Sequence, residues 1–278
     1  MFEGRRILIA SQHKKEDILS PLLTAALGVV PITCQELNTD LLGTFTGEIE
    51  RADDPLTTAR KKCETGMDLS GTDLAVATEG SFGAHPTIPF APAGDEIIVL
   101  VDKKNKIEIA ARELTTLTNF GGTEINSETQ LRAFAEQSLF PSHGLILSDG
   151  QKNKQHIVKG IHSWEELMEC FYAMLKKNMR IYAETDMRAM HNPTRMKSIG
   201  KACEKLIEKI NSTCPGCGCP GFSVVSVQEG LPCSLCGRAT RSTLSHLYRC
   251  QKCQKEEIKK YPYDKREEDP MYCDYCNP

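Results

Sequence analysis

The sequence predicts an α/β protein with a mixed sheet, followed by a C-terminal zinc-ribbon-like module. Three observations carry this. Short apolar runs alternate with amphipathic helical stretches over the first two hundred residues. Two neighbouring apolar runs, 96–102 and 106–113, flank Lys103-Lys104-Asn105 as a hairpin, so the sheet contains antiparallel as well as parallel strands. Of 13 cysteines, nine fall in the last 65 residues, eight of them as four C-x2-C pairs.

The elements follow in order. Arg6–Ala10 is a short buried strand. Residues 15–27 carry Ile18, Leu22, Leu23, Ala26 and Leu27 at helical spacing and stop at Gly28. Val29–Cys34 is a second strand, and the polar, glycine-punctuated stretch 38–51 is a loop. Asp54 is an N-cap with Pro55 at the first helical position of a helix reaching about Met67. Leu74–Ala77 is a strand that runs into a turn-rich loop, Thr78–Pro86. After the hairpin, Ser127–Ser138 is a helix, and Gly144–Ser148 and His156–Lys159 are strands. Ser163-Trp164-Glu165-Glu166 is a capping box opening a helix. Ile181–Glu184 is a strand, and Asn192-Pro193 starts a helix with Met196, Ile199, Cys203, Leu206, Ile207 and Ile210 on one stripe. The domains are expected to be 1–213 and 214–278.

Composition excludes several classes. The 278 residues are 40% hydrophobic, with a formal net charge of −3, which argues against a polyanion binder working through bulk charge. No run approaches the roughly 18 apolar residues of a membrane span. The apolar run Ile7–Ala10 is too short for a secretory signal, so the chain reads as cytoplasmic. In a reducing compartment, paired cysteines are metal ligands rather than disulfides.

The pairs are Cys214/Cys217, Cys233/Cys236, Cys250/Cys253 and Cys273/Cys276. The first two pairs are 15 residues apart and the last two 19, both within the spacing of four-cysteine zinc sites. Two Zn²⁺ ions are expected, with sequential pairing preferred over a cross-braced arrangement of first with third and second with fourth. Gly218 and Gly237 follow their pairs, as knuckle turns require. Four thiolates leave no position for water, so the sites are structural. Residues 214–278 hold nine Lys/Arg and eight Asp/Glu; two zinc ions on eight thiolates bring the loaded module near −3. That charge disfavours nucleic acid and favours a protein contact or a bracing role.

Three polar constellations precede the module. Ser11, Lys14 and Lys15 stand between a buried strand and a helix N-terminus, an arrangement suited to an anion and equally to a solvated loop. Glu48 and Glu50 in GTFTGEIER, with Glu79 in TEGSFG, lie in glycine-bearing turns where α/β proteins place ligands. They could hold Mg²⁺ or orient a water. Arg188 and Arg195 flank a capped helix start, suited to phosphate or to an internal ion pair such as Asp186 with Arg195.

The motifs LGTFTGEIER, ATEGSFGAHP, TNF at 118–120, FPSH, KGI, ETDMRAMHNPTRM and GLPCSLCG run from end to end. On them the chain resembles a bacterial family of unknown function. Residues 5–115 also resemble inosine/xanthosine triphosphate pyrophosphatases. RILIASQHKKEDILSPLL is similar to their strand, phosphate-binding loop and helix, with Ser11 and Lys14 or Lys15 in corresponding places. TARKKC is similar to their N-A-x-x-K-A helix, and AVATEGSFG to their strand ending in an acidic loop, with Glu79 in the acidic place. His13 replaces their loop asparagine, and their late His-Arg signature is absent. The resemblance implies nucleoside triphosphate pyrophosphatase chemistry. Lys14, Lys15, Lys62, Arg188 and Arg195 would then neutralise phosphates, and Glu48, Glu50 and Glu79 would carry Mg²⁺ or position water. The expectation is therefore a phosphorylated-ligand (nucleotide) binding protein, whose reaction, if it is an enzyme, is phosphoanhydride hydrolysis. A non-catalytic zinc-ribbon adaptor is the alternative, and nucleic-acid processing a third.

Overall fold

The computed structural model describes residues 1–37, 53–151, 154–177 and 180–278. Glu48 and Glu50 lie outside the described residues. The chain divides into two compact units, 1–206 and 207–278.

The first unit holds two sheets. Strand β1 (Arg6–Ile9), helix α1 (Glu16–Leu27) and β2 (Val30–Ile32) form a parallel β-α-β unit. Gly28 ends α1 at φ 65°, donating its N–H to the Thr24 carbonyl, a turn that a residue with a Cβ adopts only under strain. Helix α2 (Pro55–Ser70) starts on Asp54, whose carboxylate accepts from the Leu56 and Thr57 N–H groups. It crosses back to β3 (Leu74–Ala84), which pairs parallel with β1 on the side away from β2. Strands β4 (Pro92–Asp102) and β5 (Ile107–Thr115) complete the order β2-β1-β3-β4-β5 as an antiparallel meander.

One expectation is corrected here. Residues 78–84 are not a loop but the second half of β3, paired with β4 from Leu74↔Asp102 to Ala84↔Pro92. Gly80 and Gly83 weaken strand propensity locally, but eleven consecutive cross-strand pairs override it.

The faces of this sheet are assigned by parity. Leu8, Ala10, Ala75, Ala77 and Val99 pack with Ala59, Cys63 and Met67 of α2. The alternate residues Ile7, Ile9, Val76, Ile98 and Leu100 are equally buried and face the other way. The crossovers through α1 and α2 run in opposite directions, so their common right-handedness puts the two helices on opposite faces.

The second sheet, ordered β6-β9-β7-β8, is antiparallel throughout. Its strands are β6 (Gly122–Ile125), β7 (Leu145–Ser148), β8 (Ile157–Ile161) and β9 (Ile181–Thr185). Strand β6 was not legible in the sequence: GTEI has one buried residue in four and no alternation. Helices α3 (Glu128–Gln137) and α4 (Trp164–Lys176) bury Leu131, Ala135, Leu167 and Phe171 against Leu145, Leu147, Ile181 and Ala183. Ser163 caps α4 as the sequence predicts, accepting the Glu166 N–H, and Ser127 caps α3 on the Gln130 N–H. Helix α5 (Pro193–Asn211) begins on Asn192, whose side-chain oxygen accepts the Arg195 N–H at 2.9 Å. Its stripe of Ile199, Ala202, Cys203, Leu206 and Ile210 is buried.

The second unit is a three-stranded antiparallel sheet, β10 (Ser223–Glu229), β11 (Thr243–Arg249) and β12 (Glu256–Lys260), with a cysteine knuckle at each turn. Among the described residues no helix is long and apolar enough to cross a membrane.

Candidate functional site

The eight paired cysteines gather into two quartets, Cys214/Cys217/Cys250/Cys253 and Cys233/Cys236/Cys273/Cys276. Sγ–Sγ separations are 3.6 Å for Cys214–Cys253 and Cys217–Cys250, 3.9 Å for Cys233–Cys276 and 3.7 Å for Cys236–Cys273. Four sulfurs placed tetrahedrally about 2.3 Å from a zinc ion stand about 3.8 Å apart. A disulfide would bring two of them to about 2.0 Å. Donor type, number and spacing thus fit two structural Zn²⁺ sites with every position taken.

Each knuckle closes on itself. The N–H of Gly218, Gly237, Gln254 and Asn277 returns to the carbonyl of the first cysteine of its pair, at 2.8–3.1 Å. Gly218, Gly237 and Gln254 do so at φ of 69°, 70° and 59°, which accounts for the two glycines. The Sγ atoms of Cys214, Cys233 and Cys250 also accept the backbone N–H two residues on, at 3.3–3.4 Å.

The quartets are interleaved, first pair with third and second with fourth, which corrects the sequential pairing preferred from spacing. The topology explains it. Ser223 at the start of β10 faces Arg249 at the end of β11, so the first and third knuckles meet at one end of the sheet. The second knuckle sits where the chain turns from β10 to β11, at the other end. Strand β12 runs back along β11, Arg249↔Glu256 to Ser245↔Lys260, and returns the chain to it. A seven-residue strand spans roughly 23 Å at about 3.3 Å per residue, too far for consecutive knuckles to share an ion.

In the first unit the predicted cations converge. Strand β1 pairs with β3 only at Leu8↔Ala75 and Ile9↔Val76, while β3 continues. Beyond Val76 this edge of β3 faces the loop 11–15. The chain leaves β1 toward β2 on one side, and β3 leads to β4 on the other. This is a topological switch point, where open α/β sheets form a crevice. Lys15, 5% exposed, lies against this edge of β3 and donates to Thr78 Oγ1 at 2.7 Å and to the Thr78 carbonyl at 3.3 Å. Burial, then the charges of Arg195 and Lys62, push its ammonium down to about 7 against the pull of Glu96 and Glu79. Lys62 on α2 forms an ion pair with Glu79. His13 is pushed down to about 3 by burial and by Lys15, Arg195, Arg188 and Lys62, so it is neutral at pH 7. Lys14 is exposed, at φ 54°, and Ser11 Oγ accepts the His13 N–H at 3.3 Å.

Both arginines sit in internal ion pairs, the alternative the sequence offered, but not in the pairing of Asp186 with Arg195. Arg195, 2% exposed, donates from Nε to Glu96 Oε1 at 2.6 Å and from Nη1 to the Met187 carbonyl. Its guanidinium lies 5.3 Å over the Phe82 ring. Asp186 instead holds Arg188 Nε, at 3.0 Å from Oδ1, and takes the Arg188 and Gly160 N–H groups. Glu96 and Thr78 went unrecognised, and Asp186 was set against the wrong arginine. Glu96 could have been found only from register: it lies opposite Gly80, where a Cβ would come within 2.5 Å of Glu96 Oε1 and 2.6 Å of Arg195 Nη2. Gly80 is the space the buried pair occupies. Separately, a cavity of about 610 Å³ between β6 and α3, lined by Asn119, Phe120 and Gln130 among others, contains none of the predicted site residues.

Fold and sites together define a mixed α/β protein carrying a two-zinc cysteine module. The chain belongs to the family described as a domain of unknown function (DUF6671), whose model matches residues 62–278. The match takes in Lys62, Glu79, Arg188, Arg195 and all eight paired cysteines, and begins after loop 11–15. No curated protein matches the chain in sequence.

Proposed function

We propose that the protein works by binding: the crevice at loop 11–15 receives a phosphorylated small molecule, a nucleotide by class, and the zinc module is a non-catalytic protein contact. The observation that supports this reading most is that Lys15, Lys62 and Arg195 are held on Thr78, Glu79 and Glu96, neighbouring positions of β3 and β4 at the switch point of the sheet. Chemistry is less well supported than binding. Glu79, Glu96 and Asp186 are each held by a cation of the chain. Among the described residues, only the cysteine quartets group three or more metal-ligating side chains. Closed four-thiolate sites offer no coordination position for a substrate.

A second reading, Mg²⁺-dependent phosphoanhydride hydrolysis on a pyrophosphatase-like architecture, is favoured by one observation. Glu79 lies on β3 just past its parallel pairing with β1, beside the loop that would hold the phosphates. A panel of ordinary and deaminated nucleoside triphosphates with Mg²⁺ separates the two. Thermal stabilisation without turnover supports binding. Turnover supports the hydrolase. Neither, for any member of the panel, ends both readings.

A further inference from the structure

Beside Arg188 stands a pair of histidines that the proposed function leaves unused. His162 Nδ1 lies 3.2 Å from the Pro141 carbonyl, and His162 Nε2 lies 2.8 Å from His191 Nδ1. A carbonyl only accepts, so His162 carries its proton on Nδ1. In the neutral ring Nε2 then accepts, and the proton between the imidazoles belongs to His191 Nδ1. The remaining nitrogen, His191 Nε2, is left with a lone pair. The protein carbonyl therefore dictates, through two rings, that His191 is an acceptor on its outer side.

The surroundings are built around that atom. Gly144 permits the pair to pack: a Cβ there would meet His162 Nε2 at 3.0 Å and His191 Cβ at 3.1 Å. Gly160, at φ 74°, lets its backbone pack directly against both groups: a Cβ there would lie 3.2 Å from His191 Nε2 and 3.3 Å from Arg188 Nη2, so the two polar atoms border one position. Asp186, fully buried, fixes Gly160 and Arg188 together, binding the Gly160 N–H at 3.1 Å and one edge of the Arg188 guanidinium. The other edge of that planar fork, Nη1 and the second Nη2 hydrogen, points away from Asp186. Burial, Arg188, His162 and Lys14 hold His191 below the ordinary histidine range against the opposing charge of Asp186. A fixed acceptor thus stands beside a fixed guanidinium.

We infer that the outer side of His191 and Arg188 recognises a singly protonated phosphate, with Arg188 taking an oxyanion edge and His191 Nε2 accepting the P–OH hydrogen. His162 is a positioning residue that keeps the lone pair outward. The inference rests on the phosphorylated-ligand reading and assigns the terminal phosphate its place. No bond is made or broken.

The experiment uses the full zinc-loaded chain, with inorganic phosphate and sulfate as probes. Sulfate matches phosphate in shape but has no hydrogen to donate near neutral pH. Calorimetric titration should show phosphate bound about tenfold more tightly than sulfate, the worth of one hydrogen bond to a charged group. His191→Asn keeps a donor toward His162 and deletes Nε2, and it should abolish that preference. Side-chain 1H–15N correlation spectra of the unsubstituted protein should show His162 and His191 both protonated at Nδ1, a readout independent of variant folding. A proton on His191 Nε2, or a phosphate preference unchanged in His191→Asn, overturns the inference and leaves the proposed function standing. If neither anion binds, the inference falls and the nucleotide panel alone decides the proposed function.

Discussion

Replacing Lys15 with methionine separates the stability of the crevice from its affinity. Lys15 is buried, and among the described residues its ammonium donates to Thr78, with no carboxylate within ion-pair distance. Its ammonium titrates at about 7, against 10.5 for an ordinary lysine. The unfolded chain therefore keeps the proton up to about 10.5, while the folded chain releases it near 7. Between those values the unfolded state binds more protons, so stability rises with pH. Burying the charge costs on the order of 5 kcal/mol below pH 6, about 4 at pH 7 and about 1 at pH 10. Methionine has similar reach and no charge. It forfeits the bond to Thr78 Oγ1, worth about 1 kcal/mol. Lys15→Met should thus stabilise the first unit by roughly 2–4 kcal/mol at pH 7, and the gain should shrink to about zero by pH 10. Working at or above pH 7 keeps His13, with its value of about 3, out of the titration. Urea unfolding followed through Trp164, the single tryptophan, reports on this unit alone. Phosphate affinity should fall in the same variant. A variant less stable than the parent at pH 7, or a difference constant from pH 7 to 10, refutes the buried-charge account.

Further outcomes follow from the same geometry. Gly80→Ala should destabilise the first unit by about 3–5 kcal/mol, because a Cβ breaks the buried Glu96–Arg195 pair; a loss under 1 kcal/mol would show that the pair can shift aside. Zinc pairing is decided by two double variants. Cys217→Ser with Cys253→Ser should leave one equivalent of zinc, and Cys217→Ser with Cys236→Ser none, by metal analysis after dialysis; sequential pairing predicts the reverse. Chelation should unfold the second unit, each site supplying on the order of 10 kcal/mol of folding free energy. Asp102 is pushed up by burial but held below the ordinary carboxylate range overall by Arg5 and Asn105. Its stabilisation is present above about pH 4 and lost as pH falls through the depressed value. Asp102→Asn should cost about 3 kcal/mol at pH 7 and progressively less in acid, measured by urea titration.

Much of the fold was legible because its signals are local. The Asp54 and Ser163 caps, the Gly28 stop and the stripe of α5 are written in neighbouring residues, and the structure contains each of them. The eight zinc ligands were legible for the same reason, since a C-x2-C knuckle is a four-residue object. What failed was non-local. Residues 78–84 read as a loop because their two glycines and glutamate speak locally for a turn, while strand β4, a dozen residues on, decides otherwise. Glu96 could not be paired with Arg195, 99 residues away, until the register of β3 on β4 set it opposite Gly80.

By itself the sequence determined the mixed α/β class and the identity of the metal ligands. Only the tertiary structure decided which cysteine pairs share an ion, which carboxylate holds which cation, and that two histidines 29 residues apart orient one another. The reason is one of range. Caps, knuckles and amphipathic stripes are fixed by neighbours within a turn or two, whereas pairing is a choice among partners of equal chemistry. Sheet register and crossover direction make that choice.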